Sequence, residues 1–132
     1  MKAIAYLKGS SLSDPQAFYE VQRAEPQLDP HDLLVAVEAV SVNPLDTKVR
    51  AGRVAVPDVV HTLGWDAAGV VRAVGSAVTL FAPGDAVFYA GTFTRDGANT
   101  ELHRVDERLV GRKPKSLSFA QAAAMPLTSL TA

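Results

Sequence analysis

Gly64-Trp65-Asp66-Ala67-Ala68-Gly69-Val70-Val71-Arg72-Ala73-Val74-Gly75, with Phe81-Ala82-Pro83-Gly84-Asp85-Ala86-Val87 shortly after it, decides the fold of this chain. The first run reads G-x-D-x-x-G-x-V-x-x-V-G and the second F-x-P-G-D-x-V. Their apolar stretches predict strands over Ala67–Val74 and Ala86–Ala90. Pro83-Gly84 suits the tight turn between them, because proline presets φ and glycine takes a positive φ at little cost. The glycines Gly64 and Gly69 precede a strand pattern instead of opening a helix, so they are backbone bends and not a phosphate-binding loop.

Working outward, Lys2–Leu7 and Ala17–Ala24 are expected as strands in a hairpin-like opening, separated by Gly9-Ser10-Ser11 and Ser13-Asp14-Pro15. Leu33–Val42 is apolar on both alternating faces apart from Glu38 and Ser41, which predicts a strand buried on both sides. A short helix follows over Pro44–Ala51. Asn43 can cap it, Pro44 fits its first position, and Gly52 is placed to end it. Asp46 in the first turn and Lys48 and Arg50 near the last suit the helix dipole. Leu45 and Val49 then share one face, and Asp46 and Arg50 are spaced for an i,i+4 pair. Val54–Thr62, with Pro57, reads as loop. Thr100–Val105 and Arg108–Gly111 are two further strands. Ser118-Phe119-Ala120-Gln121 forms a capping box that opens an Ala-rich helix stopped at Pro126. Thr128–Ala132 reads as the first turn of another helix, on which the chain is expected to be cut. Many short, turn-punctuated strands point to a barrel-like β domain with small helices attached.

A chain of 132 residues is one domain's worth, able to bury roughly two-thirds of its unfolded surface in one core. It has no cysteine, which excludes disulfides and thiolate zinc sites and suits a cytoplasmic protein. A net charge of −1 supplies no basic field for nucleic acid or anionic lipid. No apolar run approaches the ~20 residues of a membrane span.

Further segments carry a family resemblance: Ser41-Val42-Asn43-Pro44-Leu45-Asp46-Thr47-Lys48-Val49-Arg50-Ala51-Gly52, Tyr89-Ala90-Gly91, Gly97-Ala98-Asn99-Thr100-Glu101, Lys113-Pro114-Lys115-Ser116-Leu117-Ser118-Phe119 and Ala122-Ala123-Ala124-Met125-Pro126-Leu127-Thr128. With the two opening runs, they resemble the medium-chain dehydrogenase/reductase superfamily. The likeness is to its quinone oxidoreductase branch, the proteins called zinc-type alcohol dehydrogenase-like or NADPH:quinone reductase-like. It extends from about Lys2 to the C-terminus. It implies a mainly β fold, a GroES-like, partly open β-barrel with short helices. Residues 1–126 would be the catalytic, substrate-binding domain, and residues 127–132 the start of a connection to a Rossmann dinucleotide-binding domain beyond Ala132. No glycine-rich strand-to-helix turn lies within the chain, so NADPH would be bound mainly by that following domain.

The same resemblance places Asn43, Thr47 and Thr128 at the cofactor, the first two by the nicotinamide end and the third near the domain junction. Their amide and hydroxyl groups suit a carboxamide or a ribose. Asn43 is equally suited to cap a helix, Thr47 to face solvent and Thr128 to cap the last helix. Trp65 and Tyr89 are candidates to flank the acceptor in a substrate pocket, with Tyr89 also a proton donor, and both suit a packed core as well. Asp46 is a candidate general acid, set against the ordinary role of a first-turn carboxylate paired with Arg50. In the zinc-dependent branch a thiolate stands where Asn43 is and an imidazole where Trp65 is; Asp66 alone cannot hold the ion. His31, His61 and His103 have no paired spacing and are expected on the surface or in loops, so no metal is expected. Without zinc, a conjugated acceptor is favoured, because it spreads the charge that a Lewis acid would otherwise stabilise. The expected function is thus NADPH-dependent hydride transfer to a quinone or enone by the full-length protein, paired as a homodimer through its other half, with this chain inactive alone. A zinc alcohol dehydrogenase domain and a non-catalytic GroES-like binding or assembly module are the alternatives.

Overall fold

Seven strands and three short helices build the chain in the computed structural model, which describes residues 1–132. In order they are β1 (Lys2–Tyr6), β2 (Phe18–Gln22), β3 (Asp32–Val40), α1 (Pro44–Arg50), β4 (Asp66–Val74), β5 (Ala86–Ala90), β6 (Leu102–Asp106), β7 (Val110–Arg112), α2 (Phe119–Ala123) and α3 (Pro126–Thr131), with a 3-10 turn over Glu107–Leu109. β1 and β2 pair as an antiparallel hairpin, and the other five strands form one antiparallel sheet in the order β6-β3-β4-β5-β7. No ladder joins β6 to β7, yet all five strands feed one core: Leu33, Val35, Ala67, Val71, Val87, Tyr89 and Val105 are buried in it, and Val110 packs against it. A sheet wrapped around a shared core but open at one edge is the mainly β, partly open barrel expected from the sequence.

Glycines of the Gly64–Gly75 run and of the Pro83-Gly84 turn supply a close strand approach and a tight turn. Gly69 of β4 faces β3 so closely that an added Cβ would lie 2.2 Å from the Ala36 carbonyl oxygen. Gly84, at φ 96°, makes the turn ahead of β5. β3 departs from its expected form, because its register against β4 shifts between Leu34 and Val35 and again between Val37 and Ala39. Only its first half is buried, and Val42 lies past its end at 79 % exposure. Thr100 joins Ala3 only in an isolated bridge, so β6 starts at Leu102; the 3-10 turn likewise delays β7 to Val110.

α1 runs as predicted, with Ala51 as its last cap and Gly52 following at φ 76°. The expected Asp46–Arg50 pair does not form. Asp46 turns back to accept the Asn43 and Gly64 backbone N–H groups, each at 2.8 Å, while Arg50 donates to the Ser10 carbonyl at 2.8 Å and lies over the Phe18 ring. A carboxylate satisfying two buried N–H groups gains more than the ~0.3–0.5 kcal/mol of an exposed i,i+4 pair. The capping box of α2 is present: Ser118 Oγ accepts the Gln121 N–H at 3.1 Å and Gln121 Oε1 accepts the Ser118 N–H at 3.0 Å. Pro126 ends the α2 segment and also occupies the first turn of α3, so the last helix begins ahead of Thr128.

Carboxylates fasten the loops between strands. Asp96 accepts from the His61 and Thr62 N–H groups and pairs with Arg23 at 2.7 Å; Glu107 accepts from the Thr79 and Leu80 N–H groups and meets His31 at 2.9 Å. Loop N–H groups have no ladder partner, and when shielded from water they need such an acceptor. No helix is long and apolar enough to cross a membrane.

Candidate functional site

The starts of α1, β4 and α3 converge on one buried carboxylate. Asp66, the first residue of β4, is 0 % exposed. Its Oδ2 accepts the Asn43 side-chain amide at 3.1 Å, and its Oδ1 accepts the Leu127 N–H at 3.2 Å. Asn43, 7 % exposed, also directs its amide to the Ser41 carbonyl at 3.4 Å and gives its backbone N–H to Asp46. Asp46 links this turn to Gly64, so two carboxylates hold the start of α1 against the Gly64-Trp65-Asp66 run. Burial pushes the Asp66 carboxyl above the ordinary carboxylate range; the Asn43 amide and the Leu127 N–H oppose the rise, and the negative charge of Asp46 adds to it.

Beside this network lies a cleft of about 200 Å³ whose lining includes Leu12, Phe18, Val42, Leu63, Asp46 and Thr47. Thr47 is exposed there, and its hydroxyl donates to the Pro44 carbonyl at 2.8 Å, leaving the oxygen as an acceptor. The structure therefore brings Asp46 and Thr47 to one cleft, with Asn43 bonded to Asp46. Thr128 sits on an exposed turn of α3, its hydroxyl donating back to the Ala124 and Met125 carbonyls at 3.4 and 3.3 Å, so it is not the cap of that helix.

Trp65 and Tyr89 do not line the cleft. Trp65, 1 % exposed, packs with Val49, Val60 and Leu63, and its indole N–H is buried without a partner. Tyr89, 2 % exposed, belongs to the barrel core, and its hydroxyl is committed to His103 Nδ1 at 2.8 Å. His103 is buried too, which corrects the expectation of a surface position; its Nε2 meets the Asp96 carbonyl at 2.8 Å. Burial lowers the His103 pKa and raises that of Tyr89. A neutral imidazole that donates from Nε2 to Asp96 and accepts the Tyr89 hydroxyl at Nδ1 satisfies all three groups.

Asp66 is the residue that sequence reasoning passes over, weighing it only as a lone metal ligand. The signal is available, since a carboxylate at the head of a strand so apolar must find hydrogen-bond partners once buried. A larger concavity, about 410 Å³, is lined by Arg95, His103, Arg104 and Arg108 and shares no residue with the cleft. Its guanidinium groups are already paired, Arg95 with Asp32 at 2.8 Å, Arg104 with Asp29 at 3.3 Å and Arg108 with Asp106 at 2.6 Å. It offers neither net charge nor a sequence-predicted site residue.

Zinc does not fit the residues of this chain. A protein zinc site draws three or four ligands from cysteine, histidine and carboxylate. There is no cysteine, and nowhere do three His, Asp or Glu side chains gather. At Asp66 both oxygens already accept N–H groups.

The family profile described as alcohol dehydrogenase GroES-like domain matches residues 29–130. A zinc-type alcohol dehydrogenase-like protein of Staphylococcus epidermidis is 42% identical over 132 residues, covering 100% of this chain and 39% of the relative. A solved structure from Rhizobium etli, whose name places it with zinc-dependent alcohol dehydrogenases, superposes with a TM-score of 0.92 at 53% identity, covering 99% of this chain and 38% of that one. The Escherichia coli quinone oxidoreductase complexed with NADPH superposes at 0.83 with 29% identity, covering 99% and 39%. The chain thus spans about two-fifths of the length of these relatives.

Proposed function

We propose that this chain, which belongs to the alcohol dehydrogenase GroES-like domain family of the medium-chain dehydrogenases/reductases, is the substrate-side part of a zinc-independent, NADPH-dependent oxidoreductase acting on quinones or other conjugated carbonyls. The observation that carries this reading is the setting of Asp66. Where the zinc-dependent branch would place its ligands stand the Asn43 amide, hydrogen-bonded to a carboxylate whose two oxygens each accept an N–H group, and the buried ring of Trp65.

Residues 127–132 begin the connection to a dinucleotide-binding domain, which anchors NADPH; bound there, the cofactor supplies the hydride. The cleft beside α1 forms the opposite wall. Asn43 and Thr47 orient the nicotinamide end, with Thr128 near the junction. Leu12, Phe18, Val42 and Leu63 give the acceptor an apolar surface, and the exposure of Val42 in this chain fits a wall completed by the rest of the protein. Asp46 and Tyr89 are not assigned proton transfer, because each is committed to partners inside the fold. The proton comes from solvent. The lack of cysteine supports a cytoplasmic protein, and pairing into a homodimer belongs to the remaining three-fifths.

Reduction of an isolated ketone builds charge on one oxygen, which a metal would offset by several kcal/mol, whereas a quinone or enone delocalises it. Steady-state kinetics of the full-length protein with NADPH should show turnover of 1,4-benzoquinone and of an α,β-unsaturated ketone, with a saturated ketone slower by about a hundredfold or more, equivalent to ~2.7 kcal/mol. Equal rates on the saturated ketone would contradict the reading.

A further inference from the structure

Asp66 holds two elements that are far apart in sequence. One oxygen fixes the side chain of Asn43 at the start of α1, the other fixes the Leu127 N–H in the first turn of α3, and its own carbonyl accepts the Ser41 N–H at 2.8 Å. α3 is the last element of the chain, the one from which any following domain is reached. The turn that would meet the nicotinamide and the helix that would lead to the nicotinamide's own domain are therefore pinned to the same buried group.

We propose that Asp66 is a positioning residue for the cofactor: it fixes which way the Asn43 carboxamide faces and ties that orientation to α3. The proposal rests on the reading of Asn43 as a nicotinamide contact. Its chemistry follows from the donor inventory. An ionised carboxylate only accepts, so it selects the NH₂ end of the Asn43 amide and turns the Asn43 oxygen away from itself. An amide at position 66 lacks that selectivity. Asp66→Asn keeps the shape and one acceptor oxygen for Leu127, but its own NH₂ then faces Asn43 and favours an Asn43 amide flipped end for end. The flip restores the hydrogen bond and reverses what Asn43 presents elsewhere. Coupling Asp66→Asn with Asn43→Asp restores both features at once, giving up only the longer 3.4 Å contact from the Asn43 amide to the Ser41 carbonyl. The carboxylate introduced at position 43 accepts from the new NH₂, Leu127 keeps its acceptor, and an oxygen again faces away from position 66. Aspartate also serves as an N-cap about as well as asparagine, so α1 is preserved.

The experiment measures kcat and KM for NADPH and for 1,4-benzoquinone in the full-length enzyme, together with thermal melts of every variant. Asp66→Asn should lower kcat/KM for NADPH about tenfold while leaving the KM for benzoquinone within about twofold. The Asn43→Asp/Asp66→Asn pair should recover most of the loss. A purely structural role would lower the melting temperature yet leave NADPH kinetics at wild-type values below the melt, and that result overturns the proposal. So does an NADPH defect that the paired variant deepens instead of relieving. A wild-type enzyme with no NADPH turnover would instead remove the functional reading on which the proposal stands.

Discussion

Gly69→Ala should be among the most damaging single-atom-scale changes this fold can receive. The added Cβ would sit 2.2 Å from the Ala36 carbonyl oxygen, 2.8 Å from Val35 Cγ1 and 3.0 Å from the Ala36 carbonyl carbon, against an ordinary contact of 3.4 Å or more. Relief requires β3 and β4 to part locally by roughly 1.2 Å. A side chain could rotate away, but a backbone carbonyl cannot, and β3 is held on its far side by β6. Overpacking costs about 1–3 kcal/mol where neighbours can yield, so a backbone clash belongs at or above the top of that range. With an unfolding entropy of about 2.1 cal/mol/K per residue, a loss of ~3 kcal/mol lowers the melting temperature of a domain this size by about 10 °C. Gly84→Ala is the control, because nothing lies within 4 Å of its Cβ position and only its φ of 96° is offended. That costs about 1–2 kcal/mol, and Gly84→Asn less. Thermal unfolding of the three variants followed by circular dichroism decides the matter. A Gly69→Ala melt within about 3 °C of wild type, or a larger loss for Gly84→Ala, would refute the packing argument.

Asp46→Asn should destabilise by about 2–3 kcal/mol, because an amide cannot accept from both the Asn43 and the Gly64 N–H groups and one buried donor loses its partner; an unchanged denaturant midpoint would contradict the clamp. The Asp96 carboxyl is held below its usual range, since the His61 and Thr62 N–H groups and Arg23 together outweigh its burial. As acid is added, the unfolded chain takes up this proton first, so the stabilisation is complete above the ordinary carboxylate pKa and is lost as the pH falls through the folded value. Asp96→Asn should therefore be less stable than wild type at neutral pH, with the difference shrinking in acid; a gap independent of pH would show that the charge is not what holds these loops.

What could be read from the sequence is what depends on near neighbours. The Pro83-Gly84 turn, the Asn43-Pro44 helix start and the Ser118–Gln121 capping box are each written within a few residues, and each formed as expected. Asp46 escapes such a reading for the opposite reason. Its spacing to Arg50 is local, whereas Gly64, which wins its second oxygen, is brought in by the path of the loop before β4. Asp66 meets Leu127 from 61 residues away, and Tyr89 meets His103 across the barrel interior, so neither partnership leaves a mark on its own segment. Val42 reads as core because the pattern of β3 continues through it, yet β3 pairs with β4 only as far as Val40, and Val42 lies exposed past that end.

We propose that the full-length protein works without zinc, because Asn43 and Trp65 stand where the zinc-dependent branch would place its ligands, although relatives carry that metal in their names. The most direct measurement is elemental analysis of the full-length protein after exhaustive dialysis against a chelator, with NADPH-dependent quinone turnover assayed on the same sample. The expected result is a zinc content far below stoichiometric both before and after dialysis, with turnover equal to that of the undialysed enzyme, because no residue set here can supply the ligands a zinc ion requires. About one zinc per chain before dialysis, with activity lost on its removal and regained on its return, would contradict it.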